Sequence, residues 1–324
     1  MQSFQLQRPH TIDAAVAAAS RGGTYIAGGS DLMQLIKDNV EAPDNLIDLE
    51  QLKLTGIRAD ANGLRLEAMA RMSDVAAHPG VRQHFPVISE ALLASASPQV
   101  RNMGTIGGNL LQRTRCGYFR DTGFDCNKRV PGSGCPAIGG ENRMLAILGG
   151  SSHCIATNAS DLAVALVALD ATLELRGANR AQRTVKLRDF HRLPGTTPNI
   201  ETVLAPGEMI EAVVVPATPA GPRSHYLKVR DRTSFEFALV SAAVALQVNN
   251  GTIEDVRVAA GGVGTKPWHL PEVEAALRNK APTQQHLREA AEQAGQGAQP
   301  ASQNAFKLIL LRRTVLRALQ TAAA

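Results

Sequence analysis

All four cysteines of this chain, Cys116, Cys126, Cys135 and Cys154, fall within 39 of its 324 residues. The segment between them carries Gly117, Gly123, Gly132, Gly134, Pro131 and Pro136 and little apolar content. Such a segment cannot bury enough apolar surface to organise itself and needs another agent. Four thiolates can hold a [4Fe–4S] cluster, they can hold a structural Zn²⁺, or they can pair as two disulfides in an exported chain. Zinc sites usually show C-x₂₋₄-C pairs, whereas the steps here are 10, 9 and 19 residues. That spacing weakens zinc without excluding it, and on the residues alone all three readings stay open.

Two glycine-rich turns precede this segment. In Tyr25-Ile26-Ala27-Gly28-Gly29-Ser30-Asp31-Leu32 an apolar run is broken by two glycines and followed by Leu32, Leu35 and Ile36 on one helical face. With the apolar run Leu46-Ile47-Asp48-Leu49, this predicts a small β-α-β unit with Ser30 as the helix N-cap. A turn between strand and helix points backbone N–H groups and the helix dipole outward, which suits a diphosphate. The Asp31 carboxylate would repel phosphate there unless it is turned away. Arg101 to Asn109 is too glycine-rich for a regular helix, and Thr105-Ile106-Gly107-Gly108-Asn109 within it reads as a second such loop. Two loops of this kind favour a dinucleotide over a plain structural turn, although neither matches the G-x-G-x-x-G fingerprint.

The rest of the chain supplies a scaffold. Residues 56–59 and 64–67 alternate about Asn62-Gly63, a hairpin signal, and helices are expected near 72–78, 86–96 and 161–169. Strands are expected at 172–175 and 210–215. Three prolines among residues 216–222 mark a domain boundary. Beyond it, Val240, Ala242, Val244, Leu246 and Val248 alternate up to Asn250-Gly251, and Ile253, Val256 and Val258 return, which predicts an antiparallel hairpin. Helices near 271–278, 283–295 and 302–320 close the chain.

Composition narrows the function classes. Aromatic residues are only 4%, which argues against base stacking on nucleic acid. The net charge is +5, but the densest basic group, Arg312, Arg313 and Arg317, reads as a solvated helix face. No stretch approaches the ~18 apolar residues of a membrane helix. The first residues show no signal-peptide pattern, so the chain is expected in the cytoplasm, or in the periplasm if exported folded on a signal-bearing partner.

The motifs at 25–32 and 101–110, together with Ser160-Asp161-Leu162 and Phe235-Glu236-Phe237-Ala238-Leu239-Val240-Ser241-Ala242-Ala243, occur in one order. In that order they resemble the FAD-binding medium subunit of molybdenum hydroxylases, the family of xanthine and carbon monoxide dehydrogenases. Cys116-Gly117-Tyr118-Phe119-Arg120 and the run from Cys126 to Cys135 look like the medium subunit of bacterial three-subunit, exported aldehyde oxidoreductases, which carries an extra [4Fe–4S] cluster. A 4-hydroxybenzoyl-CoA reductase-like or xanthine dehydrogenase-like subunit is the alternative within the family, and a stand-alone flavin reductase is the alternative outside it.

The resemblance implies an α+β fold. Residues 1–219 would form a two-lobed FAD-binding domain of the vanillyl-alcohol-oxidase/PCMH type, with lobes at about 1–55 and 56–219 and an iron–sulfur insertion at about 112–155. Residues 220–324 would form a domain with an antiparallel sheet and helices. FAD would be held by residues 25–32, by Thr105, Ile106, Gly107, Gly108 and Asn109, and by Asp161, Ile210 and Lys228. The four cysteines would ligate the cluster, with His153 an ordinary loop histidine. A small [2Fe–2S] subunit, a large molybdenum-cofactor subunit and an external electron acceptor would be the partners, with no nucleic acid and no membrane insertion.

Overall fold

The computed structural model describes residues 2–324, and three sheets organise them. Strands β1 (Gln5–Gln7), β2 (Thr24–Ile26) and β3 (Asn45–Asp48) form a parallel sheet in the order β1-β3-β2. Parallel neighbours need crossover connections, and helices Ile12–Ala19 and Leu32–Lys37 provide them. The expected β-α-β unit is therefore present. Its helix is capped by Asp31 rather than Ser30, and the Asp31 side chain makes no capping hydrogen bond.

The second sheet is antiparallel. It contains β4 (Ile57–Asp60), β5 (Gly63–Glu67), β6 (Thr172–Arg176), β7 (Gln182–Lys186) and β8 (Met209–Pro216), in the order β4-β5-β8-β6-β7. Between β5 and β6 lie the helices Met72–Ala77, Pro79–His84, Pro86–Ala94, Pro98–Met103, Ile106–Leu110 and Asp161–Ala168. Every residue of Asp161–Ala168 is buried, as expected of a helix that is apolar on all sides. The stretch 101–109, expected to be irregular, is instead two short helices. Ser97 and Thr105 cap them, their side-chain oxygens accepting from Val100 N and Gly108 N. The glycines pack rather than loosen it: a Cβ on Gly107 would sit 3.0 Å from the Ala68 Cβ.

The third sheet runs β12-β11-β10-β9, formed by β9 (Ser224–Val229), β10 (Val240–Asn249), β11 (Thr252–Gly261) and β12 (Trp268–His269). Asn250 and Gly251 both take positive φ, 50° and 75°, as a tight hairpin between twisted strands requires. β10 is buried on both faces. Ala242, Val244 and Leu246 join the core beneath the closing helices, including Phe306–Ala323. Ala243 and Ala245 join the core around Asp161–Ala168. Small residues on that second face let the helix approach the sheet, and a Cβ on Gly261 would meet Val164 at 2.6 Å. No helix among the described residues is long and apolar enough to cross a membrane.

Candidate functional site: a three-walled cleft and a cysteine cavity

A cleft of about 550 Å³ opens where the three sheets meet. Its first wall is the turn from β2 into helix Leu32–Lys37. Gly28 is needed there because a Cβ would fall 1.9 Å from the carbonyl oxygen of Met103, and Gly29 because its φ is +69°. Tyr25 closes one end. Its hydroxyl donates to the Gly207 carbonyl oxygen at 2.8 Å, and burial pushes its pKa up, so it stays a neutral donor. Ile210 of β8 and Lys228 of β9 bring the second and third sheets to the same cleft.

Asp161 sits at the first position of its helix, after the Ser160 cap. It is buried, yet its carboxylate is fully engaged. Oδ1 accepts from the Tyr226 hydroxyl at 2.6 Å, and Oδ2 accepts from the Ser95 hydroxyl at 2.9 Å and from Lys228 Nζ at 2.8 Å. Burial, reinforced by the neighbouring Asp161 charge, raises the Tyr226 pKa well above its ordinary value. Lys228 and Asp161 expose only 3% and 7% of their side chains, so this ion pair ties β9 to the start of the helix Asp161–Ala168 out of water. With three donors and a helix N-terminus on it, Asp161 is an anchor rather than a free base.

The second glycine segment contributes shape more than donors. The N–H groups of Ile106, Gly107 and Asn109 donate to Ala70 O, Ala68 O and Thr105 O, and that of Gly108 to Thr105 Oγ1. The Asn109 side chain accepts from the Ser160 hydroxyl at 2.6 Å. Thr105, Gly107, Gly108 and Asn109 line the cleft, as do residues 25–32. Ile106 does not, since its side chain is fully buried in the core.

Beside this cleft, Cys116, Cys126, Cys135 and Cys154 line one cavity, together with His153. All four are free thiols. Asn127 shapes the loop that carries two of them: its Oδ1 accepts from Gly132 N and Gly134 N at 3.1 and 2.8 Å, and its Nδ2 donates to His153 O. Gly132 and Gly134 take φ of +88° and +114°, which leaves little room for other residues. Burial pushes the Cys116 thiol up to about 11 and also raises Cys135 and Cys154. A bound cation or cluster reverses that preference by stabilising the thiolates. Among the described residues, no three His, Cys, Asp or Glu side chains converge closely enough to hold a single metal ion. His153 pairs its Nδ1 with the Ser152 hydroxyl at 3.1 Å.

Residues 2–218 match the family model of the FAD-binding domain in molybdopterin dehydrogenase, and residues 225–322 match that of the CO dehydrogenase flavoprotein C-terminal domain. The chain belongs to this family. It is an FAD-binding oxidoreductase subunit of the molybdenum hydroxylase type. It is 46% identical over 327 residues to the aldehyde oxidoreductase FAD-binding subunit PaoB of Escherichia coli K12, covering 100% of this chain and 99% of that one. The carbon monoxide dehydrogenase medium chain of Afipia carboxidovorans is 26% identical over 328 residues, with 98% and 96% covered. A crystal structure of cyanide-inactivated Cu,Mo-CO dehydrogenase superposes with a TM-score of 0.77 at 24% identity, covering 99% of this chain and 98% of that one.

An FAD-binding domain needs a long cleft with close backbone approach at one end, and this cleft has both. Sequence reasoning missed several of its residues. Arg115, Arg232, Phe235 and Phe237 line it, with the Arg115 guanidinium 5.1 Å from the Phe237 ring centroid. Single arginines and phenylalanines carry no local signature. The available hints were the place of Phe235 and Phe237 in the motif 235–243 and the position of Arg115 next to Cys116, and neither assigned these residues to the cleft.

Proposed function

We propose that this chain carries both FAD and a [4Fe–4S] cluster and relays electrons within a molybdenum-dependent aldehyde oxidoreductase. Its partners are a small [2Fe–2S] subunit and a large molybdenum-cofactor subunit, and its electrons leave to an external acceptor. The observation that carries the reading is the gathering of all four cysteines around one cavity beside the cleft. The steps of 10, 9 and 19 residues between the cysteines depart from the C-x₂₋₄-C pairs usual for zinc, which favours the cluster. The aldehyde class follows the name of the E. coli relative.

In this reading the turn 25–32 receives the diphosphate, with Gly28 and Gly29 allowing close approach and the Ser30 hydroxyl free to donate. Thr105, Gly107, Gly108 and Asn109 shape the cleft floor, while Asp161, Ile210 and Lys228 flank the flavin. The domain division falls at residues 219 and 220, within the proline-rich linker. Bound flavin exchanges one or two electrons and a cluster exchanges one, so together they divide a two-electron oxidation into single steps. The chain's own task is to fix both groups near each other and to exclude water from the buried Asp161–Lys228 pair. Iron and FAD measured together in the Cys126→Ser complex test the proposal. Iron should fall sharply while FAD is at least partly kept, and unchanged iron would remove Cys126 from the ligand set.

A further inference from the structure

The Asp31 carboxylate, awkward beside a diphosphate, is engaged by three donors of the cysteine segment. Its Oδ2 accepts from the backbone N–H of Arg113 at 2.8 Å. Its Oδ1 accepts from Arg120 Nη2 at 2.8 Å and also pairs with Arg115 Nη1. These three donors lie within four residues on either side of Cys116. Arg120 is held in turn, its Nε donating to Thr114 O at 2.9 Å. The Asp31 and Arg120 side chains are each only 16% exposed, so the pair is weakly screened by solvent.

A second contact reinforces the first. Helix Leu32–Lys37 begins at this turn, and its Leu35, 1% exposed, packs in a small apolar cluster with Cys116, Phe119, Cys126 and Cys154. Leu35 also lines the cleft. One short helix therefore touches both sites, and the side chain that could have capped it is used on the cysteine segment instead.

We propose that Asp31, Arg115 and Arg120 form a brace that makes the two cofactor sites cooperative. The cysteine segment, once ordered around its cluster, holds the Gly28–Asp31 turn in its ligand-receiving shape, and FAD on that turn holds the cysteine segment closed. Asp31, Arg115 and Arg120 are positioning residues that act through the turn. Coupling of this kind is reciprocal and typically changes affinity 5–150-fold. The inference rests on the [4Fe–4S] reading for the identity of the second ligand, but the brace itself is a property of the chain.

The test uses the whole complex, with FAD removed reversibly. Iron content is measured first, and no iron beyond that of the small subunit's [2Fe–2S] clusters would overturn the cluster reading alone. Release of the iron in excess of the [2Fe–2S] clusters to a chelator is then timed with and without FAD; where there is no such excess, alkylation of this chain's four thiols is timed instead. In the wild type, FAD should slow either process at least about fivefold. In Asp31→Asn that ratio should fall below about twofold, and Asp31→Glu should restore most of it. Arg120→Gln carries the same test should Asp31→Asn fail to accumulate. A wild-type rate indifferent to FAD, or a ratio that survives the loss of the Asp31 charge, overturns the brace.

Discussion

Gly28→Ala isolates close backbone approach from backbone conformation. Gly28 has no positive φ, so alanine introduces no dihedral strain, yet its Cβ would meet the Met103 oxygen at 1.9 Å and the Met103 carbonyl carbon at 2.7 Å. Restoring an ordinary contact requires the two backbones to part by roughly 1.3 Å, because close packing leaves no slack for even one methyl. The Met103 side resists. Its carbonyl accepts from Arg71 at 2.5 Å, Arg71 is clamped by Glu50, and Gly104 is tied to Val100 and Met72. The displacement therefore falls on the Gly28–Asp31 turn. Overpacking of this kind costs about 1–3 kcal/mol. That corresponds to a melting temperature lower by roughly 3–10 °C for a domain near 200 residues. A turn displaced by more than 1 Å should also weaken FAD at least about tenfold, the equivalent of about 1.4 kcal/mol. The assay is thermal unfolding followed by flavin fluorescence, with FAD content measured after gel filtration. Gly117→Ala, where a Cβ meets nothing within 4 Å, is the control. Stoichiometric FAD and an unchanged melting temperature in Gly28→Ala would refute the close-approach argument.

Two further outcomes follow from buried lysines. Lys228→Met leaves Asp161 with only Ser95 and Tyr226 as donors, and breaking a buried pair should cost about 3 kcal/mol; urea unfolding measures it, and a loss under about 1 kcal/mol would mean the pair is not buried in solution. Lys307 is fully buried, donates to the carbonyls of Met144, Leu145 and Gly262, and is driven by burial down to about 7. Because the folded chain releases that proton before the unfolded chain does, stability from this group rises between about pH 7 and 10.5 and is lost as pH falls through 7. Wild type should therefore gain on the order of 2 kcal/mol relative to Lys307→Met between pH 7 and 9, and parallel denaturation curves at the two pH values would contradict that sign.

The parts of this fold legible in the sequence are those set by local periodicity. The Gly28-Gly29 break between an apolar strand and an amphipathic helix, the Asn250-Gly251 hairpin and the buried run after Asp161 each carry their signal within about a dozen residues. Elements held by tertiary contact were not legible. β7 is mostly exposed and shows no apolar alternation, so only its pairing with β6 identifies it. The two helices across 98–110 were hidden because Gly107 and Gly108 lower helix propensity, and packing on Ala68 overrides that preference. In the cleft, the turn 25–32 was readable, but Arg115 and Phe237 reach it only because residues 113–120 and 230–238 fold over it. Lys307 lies in a helix whose arginines read as a solvated face. Arg313 and Arg317 are indeed exposed there, whereas Lys307 is not.

The cysteine segment poses a mechanical problem, because it has too few apolar side chains to fix its own shape. It is instead tied at three places by polar contacts to neighbours that are themselves rigid. Arg113, Arg115 and Arg120 bind Asp31. Lys128 donates to Glu201 at 2.7 Å and to Pro198 O at 2.9 Å, on the loop before β8. Asn142 exchanges hydrogen bonds with Gln303, and Asn304 donates to the carbonyls of Asn142, Leu145 and Ala146. These ties reach the first sheet, the second sheet and the C-terminal domain, which are the same three units that wall the cleft. Any relative movement of those units that would change the shape of the cleft must therefore also strain the cysteine cavity. Their spacing is thus set by the docking of the domains, and the largest displacements between the two sites should come from substitutions at these polar ties rather than from conservative changes within either site.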